Sequence, residues 1–395
     1  MTSTHPQGRE GFGLYIHWPF CLSKCPYCDF NSHAARQIDQ DRWRRALITE
    51  LDHAAAEAGR EDRLLTSIFF GGGTPSLMAP DTTAALIEHA RSLFRCSNDL
   101  EITLEANPSA VDRDRFAAFR QAGVNRVSLG IQSLREDSLR FLERHHDRQE
   151  ALTAIETAAS LFPRYSFDLI YARPGQTVEE WRSELAEALT LAGDHLSLYQ
   201  LTIEQGTRFF NDYAKGAFIL PDDEQAVALY EVTQQIMAAA GRPAYEVSNH
   251  ARPGEECRHN LTYWRGGDYL AVGPGAHGRL TLGDGAQRHT LALRRHRAPE
   301  IWLSQVEAKG HATREKTILS AAERREELIL MGLRLYDGLD PALFARLGGQ
   351  SLDSALSASG LAMLRDEGLI ATDGPLRVTP QGMLCLNSVI AALLP

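Results

Sequence analysis

The sequence predicts an α/β fold: a partial (β/α)6 barrel, an α+β extension and a small C-terminal winged-helix-like domain. Three observations carry that prediction. Up to about residue 205, short β-branched or aromatic runs alternate with longer amphipathic stretches. Beyond that point the alternation stops. Near the C-terminus, helical patterns lead into two short apolar runs around Asp373-Gly374, which is hairpin turn chemistry. The corresponding division is 1–205 for the barrel, 206–312 for the extension and 313–395 for the C-terminal domain.

Six strands are expected, around residues 13–18, 66–70, 100–104, 126–131, 167–171 and 196–201. Between them, residues 41–58, 80–94, 112–122, 149–161 and 178–191 read as helices. Asp81 and Asp112 are expected helix starts, and Gly59, Gly123 and Gly193 expected stops. Repeated strand–helix units imply a parallel sheet with right-handed crossovers. In such barrels chemistry sits at the C-terminal ends of the strands, so the motifs should follow strands. Residues 223–240 read as one long helix and 245–285 as irregular strands and loops. Residues 320–335, 341–347 and 351–367 read as helices that precede the hairpin of 369–379.

Composition bounds the function. The chain has 395 residues, a formal net charge of −10, 44% hydrophobic and 23% charged residues. These are ordinary globular values and exclude collagen-like and disordered classes. The acidic balance argues against nucleic acid as a partner, and residues 340–395 carry only Arg346, Arg365 and Arg377 as basic side chains. No run of 18 apolar residues is visible, and the first 15 residues show no apolar leader core, so a cytoplasmic protein is expected. Three of the six cysteines, Cys21, Cys25 and Cys28, fall within eight residues. In a reducing compartment such a cluster holds metal or does redox chemistry rather than building a disulfide framework.

The cluster reads Tyr15-Ile16-His17-Trp18-Pro19-Phe20-Cys21-Leu22-Ser23-Lys24-Cys25-Pro26-Tyr27-Cys28, a C-x3-C-x2-C spacing directly after the first strand. Three thiolates on one loop can hold three irons of a [4Fe–4S] cluster and leave the fourth iron open. A zinc site with His33 as fourth ligand, or a C-x-x-C dithiol formed by Cys25 and Cys28, are the alternatives. Later strand ends carry further polar groups. Gly71-Gly72-Gly73-Thr74 follows the second strand, Glu105 ends the third, Gln132 ends the fourth, and Asp168 lies in the fifth. Arg144 follows Gln132 by twelve residues and can pair bidentately with a carboxylate. Each alone is as readily a surface charge or a structural ion pair. Their shared position at strand ends is what the barrel requires.

C-x3-C-x2-C with an aromatic before the last Cys resembles the signature of the radical S-adenosylmethionine (SAM) superfamily. The longer string Y-I-H-x-P-F-C is similar to the branch that holds oxygen-independent coproporphyrinogen III oxidases and haem chaperones of the HemW type. This resemblance implies that Cys21, Cys25 and Cys28 ligate a [4Fe–4S] cluster whose open iron chelates SAM. It also implies SAM contacts from Tyr15, Tyr27, Gly72, Gly73, Thr74, Glu105, Gln132, Arg144 and Asp168. One departure stands out: where that branch has Gly-Leu before Pro-Gly-Gln-Thr, this chain has Ala172-Arg173, which adds a charge near the loop.

Two features divide the branch. The oxidases carry a fourth cysteine two residues after the third, and here that position is Phe30. His259-Asn260-Leu261-Thr262-Tyr263-Trp264 matches the H-N-x-x-Y-W motif of the chaperones, in which the His is associated with haem. A neutral imidazole is a good axial ligand, and aromatic faces suit a macrocycle. The bland alternative is a loop-capping His among core aromatics. Residues 258–314 carry nine Lys or Arg against four Asp or Glu, and Arg294, Arg295 and Arg297 are expected to pair with haem propionates or to form a solvated basic face. The resemblance therefore implies a haem chaperone that delivers haem to haemoproteins such as membrane respiratory enzymes, as a monomer or homodimer. The enzymatic alternatives are a coproporphyrinogen III oxidase and, further off, a radical-SAM methyltransferase or other enzyme.

Overall fold

The computed structural model describes residues 10–59, 63–110, 112–283 and 285–395. Among them, eleven strands form one continuous sheet. They are β1 (Phe12–Trp18), β2 (Leu64–Gly72), β3 (Arg95–Ala106), β4 (Arg126–Gln132), β5 (Arg164–Tyr171), β6 (His195–Gln200), β7 (Asn249–Ala251), β8 (Asp268–Val272), β9 (His277–Leu282), β10 (His289–Arg295) and β11 (Thr313–Leu319). Their spatial order is β11-β10-β9-β8-β1-β2-β3-β4-β5-β6-β7. Strands β1 to β6 run parallel to their neighbours, as the alternation of strand and helix requires. The extension adds to both edges of this sheet: β7 pairs antiparallel with β6, and β8 pairs parallel with β1. From β8 an antiparallel series runs through β9 and β10 to β11.

The helices follow from local chemistry. Asp112 caps the helix Arg113–Gln121 by accepting from the Asp114 amide. Helix Pro80–Leu93 starts one residue before the expected Asp81, because Pro80 fills the first position where no N–H is needed. Gly59 takes φ +73° at the end of Gln40–Ala58. The stretch 351–367 is two helices, Leu352–Ala355 and Ala358–Asp366, since Ser357 caps the second through the Gly360 amide and breaks the run. Residues 245–285 contain a helix, Arg258–Trp264, where irregular structure was expected. The expected hairpin closes through the single bridge Ile370↔Val378, with Gly374 at φ +70°.

One apolar core runs beneath the parallel strands and continues under β8 to β10. Leu14, Ile68, Leu104, Leu129, Phe167 and Leu198 of the parallel strands share it with Leu270, Leu291 and Trp302 of the extension. Trp43 and Trp302 stack at 5.1 Å across that junction. Glu50, fully buried on the first helix, ties the two parts together. It accepts from the Gly273 amide (2.8 Å), the Trp302 indole (2.8 Å) and the Ala312 amide (2.9 Å), with the Arg295 guanidinium 3.7 Å away. A second core, with Leu328, Phe344, Leu364, Ile370 and Val389, belongs to the C-terminal part. No helix among the described residues is long and apolar enough to cross a membrane.

Candidate functional site: a cysteine-lined cavity and its neighbour

The chemistry-bearing residues gather at the C-terminal ends of the parallel strands. Past Trp18 the chain makes a short parallel pair, Phe20–Cys21 with His33–Ala34, and the three cysteines lie in or beside the loop this pair closes. Asn31 pins the loop to the extension by donating to the Pro274 and Arg297 carbonyls, both at 2.9 Å. Gly73 crosses so close beneath that a Cβ there would lie 2.7 Å from the Phe20 carbonyl oxygen. Gly72 has φ +113°, and a Cβ on it would meet the His17 ring at 2.6 Å. Close approach therefore dictates both glycines.

Cys21, Cys25, Cys28, Tyr27, Gly72, Gly73, Thr74, Glu105, Gln132, Arg144 and Asp168 all line one cavity. Burial pushes the Cys21 and Cys28 thiols up, while the Thr74 hydroxyl (3.4 Å) and the Ser32 hydroxyl (3.6 Å) offer them hydrogen bonds. Arg144 donates to the Cys25 sulfur (3.1 Å), the Tyr27 hydroxyl (3.4 Å) and the Gly130 carbonyl (2.8 Å). His33, the expected fourth zinc ligand, is not among the lining residues; its ring faces the Asn31 side chain at 3.4 Å. Among the described residues no three His, Cys, Asp or Glu side chains converge on a single metal-ion position.

Two half-buried carboxyls line the same cavity as the thiols. Burial first, and then Asp168, pushes Glu105 up to about 8 although the Gly72 amide donates to it at 3.2 Å. Burial likewise raises Asp168 to about 6 against hydrogen bonds from Ser197 and Ser128. Arg126 lowers both and Arg144 lowers Asp168, yet burial outweighs these cations. The Nε of Arg144 is buried without a partner, a donor left over for an acceptor that the protein does not supply. Three thiols, two carboxyls with raised pKa and one orphaned guanidinium N–H match the needs of a thiolate-held cluster and a cationic nucleoside with an amino-acid head. Gln132 holds φ +70°, an uncommon conformation for a side-chain-bearing residue that aims this strand end at the cavity.

A second cavity of about 710 Å³ adjoins the first. Gly72, Glu105 and Phe30 line both, and Phe30 stands 60% exposed at the shared edge. Its walls are the aromatics Tyr15, Phe69, Tyr263 and Tyr269 together with His259, and its rim is basic, with Arg294, Arg297 and Arg314. Tyr15 thus faces this second space rather than the first. His259 is 1% exposed and stacks on Phe69 at 5.0 Å. Its Nδ1 meets the Ser67 hydroxyl at 2.9 Å and its Nε2 the Tyr263 hydroxyl at 2.6 Å. Burial lowers its pKa to about 3. The imidazole is neutral, as expected, but both of its nitrogens are already engaged.

Similarity to known proteins decides the family. A profile described as the Radical SAM superfamily matches residues 15–188. A mitochondrial Radical S-adenosyl methionine domain-containing protein 1 from Bos taurus is 40% identical over 392 residues, covering 98% of this chain and 88% of its own. The chain belongs to the radical SAM superfamily. Heme chaperone HemW from Escherichia coli is 37% identical over 391 residues, covering 96% of this chain and 97% of its own. A HemN C-terminal domain profile matches residues 319–385. The fold matches coproporphyrinogen III oxidase HemN from Escherichia coli with a TM-score of 0.79 at 23% identity, over 98% of this chain and 91% of that one. Membership of the superfamily implies a [4Fe–4S] cluster and SAM.

Several departures from the sequence reading are physical. Ala172 sits at φ +57°, where the branch has glycine. Arg173 adds no free charge: it is buried against Glu184 and donates to Ser133. Arg295 is 2% exposed and held by Ala271 and Glu50, so it lines the second cavity from within the core instead of standing on a solvated basic face. Sequence reasoning missed His17, which bonds Tyr15 at 3.0 Å and the Asn31 carbonyl at 2.9 Å, and it missed Asn31 and Glu50. A polar Asn at the end of the cysteine loop was the available signal. Glu50 had none, being one charged residue in an amphipathic helix.

Proposed function

We propose that this protein is a haem chaperone of the radical SAM superfamily, which binds a [4Fe–4S] cluster, SAM and haem and delivers haem to haemoproteins. The observation that carries this reading is the second cavity, aromatic-walled and basic-rimmed, that opens directly beside the cysteine-lined one. Its volume suits a large cofactor. Relatives named as haem chaperones support it at near full-length coverage.

Cys21, Cys25 and Cys28 hold the cluster. Tyr27, Gly72, Gly73, Thr74, Glu105, Gln132, Arg144 and Asp168 hold SAM, with Tyr15 at the border. Glu105 and Asp168 take the cationic and hydroxyl groups, and Arg144 takes the carboxylate. When bound, the cluster supplies the electron that the superfamily uses to cleave SAM. His259 and Tyr263 build the haem-facing wall. Arg294, Arg297 and Arg314 meet the propionates. Functionally, 1–205 carries the cluster and SAM, 206–312 the H-N-x-x-Y-W motif of the haem wall, and 313–395 is the C-terminal helical, winged-helix-like domain. Membrane respiratory enzymes are the recipient class. Three free thiols suit the cytoplasm or an equivalent reducing space. Phe30, where an oxidase carries cysteine, argues against decarboxylation of coproporphyrinogen.

Anaerobic reconstitution tests the reading. Cluster-loaded protein should bind haem stoichiometrically, transfer it to an apo-haemoprotein and leave coproporphyrinogen III unchanged. Turnover of that substrate, or failure to bind haem, would overturn it.

A further inference from the structure

We propose that His277, rather than His259 of the H-N-x-x-Y-W motif, is the axial ligand that the second cavity offers to haem iron. This rests on the haem reading above and deepens it. The cavity contains three histidines: His17, His259 and His277. His17 and His259 each have both ring nitrogens hydrogen-bonded, to Tyr15 and Asn31 in one case and to Ser67 and Tyr263 in the other. His277 is exposed, lines the same cavity, and has no ring hydrogen bond among the described residues.

Its setting is also right for ligation. Residue 277 opens β9 directly across from Arg294 in the antiparallel register, which places imidazole and guanidinium side by side on one face. Arg297 follows two residues after the end of β10 and makes no ion pair among the described residues. Glu315 is shared between Arg294 (3.5 Å) and Arg314 (3.6 Å), so the rim keeps a net positive charge beside the histidine. Partial desolvation, then Arg294 and Arg279, lowers the His277 pKa from its ordinary value, which favours the neutral, ligating form. The Asn31 bonds to the Pro274 and Arg297 carbonyls fix the backbone just before β9 and just after β10. The imidazole therefore stands on a braced edge between the aromatic wall and the propionate-binding arginines. For a porphyrin seated there, His277 would offer an open nitrogen to the iron and Arg294, Arg297 and Arg314 would pair with the carboxylates.

The experiment is a ferric haem titration of the full, cluster-loaded chain, read by visible absorbance and by low-temperature EPR. The wild-type protein, His277→Ala, His277→Gln and His259→Ala are compared. We expect the imidazole-ligated spectrum to disappear in both His277 variants, with affinity lowered at least about tenfold, and to return on adding free imidazole. His259→Ala removes part of the wall and should lower affinity, but the haem it does bind should keep the imidazole-ligated spectrum. Iron–sulfur absorbance serves as the folding control. A His277→Ala or His277→Gln protein with the wild-type haem spectrum and affinity overturns the assignment and leaves the haem reading standing. A wild-type chain that binds no haem overturns both.

Discussion

Exchanging Glu105 for Gln should make the SAM-free protein more stable, and increasingly so as pH rises. Burial holds the Glu105 carboxyl at about 8 instead of its ordinary 4.5. Between those values the folded chain binds more protons than the unfolded one, so stability falls as pH rises through that window. The favourable contribution is complete below about 4.5 and is lost by about 8. A displacement of this size corresponds to about 4 kcal/mol at pH 8, at 1.36 kcal/mol per unit. Glutamine keeps an acceptor for the Gly72 amide but a weaker one, which returns about 1 kcal/mol. The net gain is therefore about 3 kcal/mol near pH 8 and about zero near pH 5.

Urea unfolding of both proteins at several pH values checks this, with the midpoint difference growing from acid to alkaline conditions. The same substitution should weaken SAM and flatten its pH dependence. In the wild-type protein a cationic ligand must draw a proton off Glu105, so affinity rises with pH until about 8. A Gln variant that is less stable near pH 8, or a stability difference independent of pH, would refute the reasoning.

The other expectations are more local. Cys21→Ser, Cys25→Ser or Cys28→Ser should each abolish the iron–sulfur absorbance, read by metal content after anaerobic reconstitution; full iron retention would remove the cluster assignment. Glu50→Ala strands two amide donors, an indole N–H and the buried Arg295, and should destabilise by about 3–5 kcal/mol in urea. Ala172→Gly relieves a left-handed alanine, a cost of about 1–2 kcal/mol, less about 0.5–1 kcal/mol for glycine's added freedom. A higher urea midpoint is expected, and a lowered one would count against strain at that turn.

The parallel strands and the first site were legible because their signals are local. A run such as Leu100–Leu104 sets its own strand, and a C-x3-C-x2-C loop sets its own donor spacing. Glu105, Gln132 and Asp168 could be placed because strand order fixes where strand ends meet. What stayed hidden depends on distant partners. The role of Glu50 exists only because Gly273, Trp302 and Ala312 fold onto it from more than two hundred residues away. Arg295 looks like its neighbours Arg294 and Arg297 in sequence, yet alternation along β10 turns it inward, 2% exposed, while Arg294 faces out. The helix at Arg258–Trp264 was missed because Glu101, from β3, receives the Arg258 and His259 amides that a side-chain cap would otherwise satisfy.

On the haem reading proposed above, that helix would mark the site without donating to the iron. Its His259 bonds Ser67 on β2, its Asn260 lies 3.4 Å from the Tyr245 hydroxyl, and its Tyr263 packs edge-on against Tyr269 on β8 at 4.4 Å. Its Trp264 lines a separate cavity against Leu328 and Phe344 of the C-terminal part. Each member of the motif reaches a different element, so the motif sets the shape of the second cavity's wall. To bind iron, the His259 Nε2 would have to leave Tyr263 and strand a buried hydroxyl, at a cost of about 1–3 kcal/mol, before any ligation energy is gained. His277 faces no such cost, because its ring has no hydrogen bond to break among the described residues.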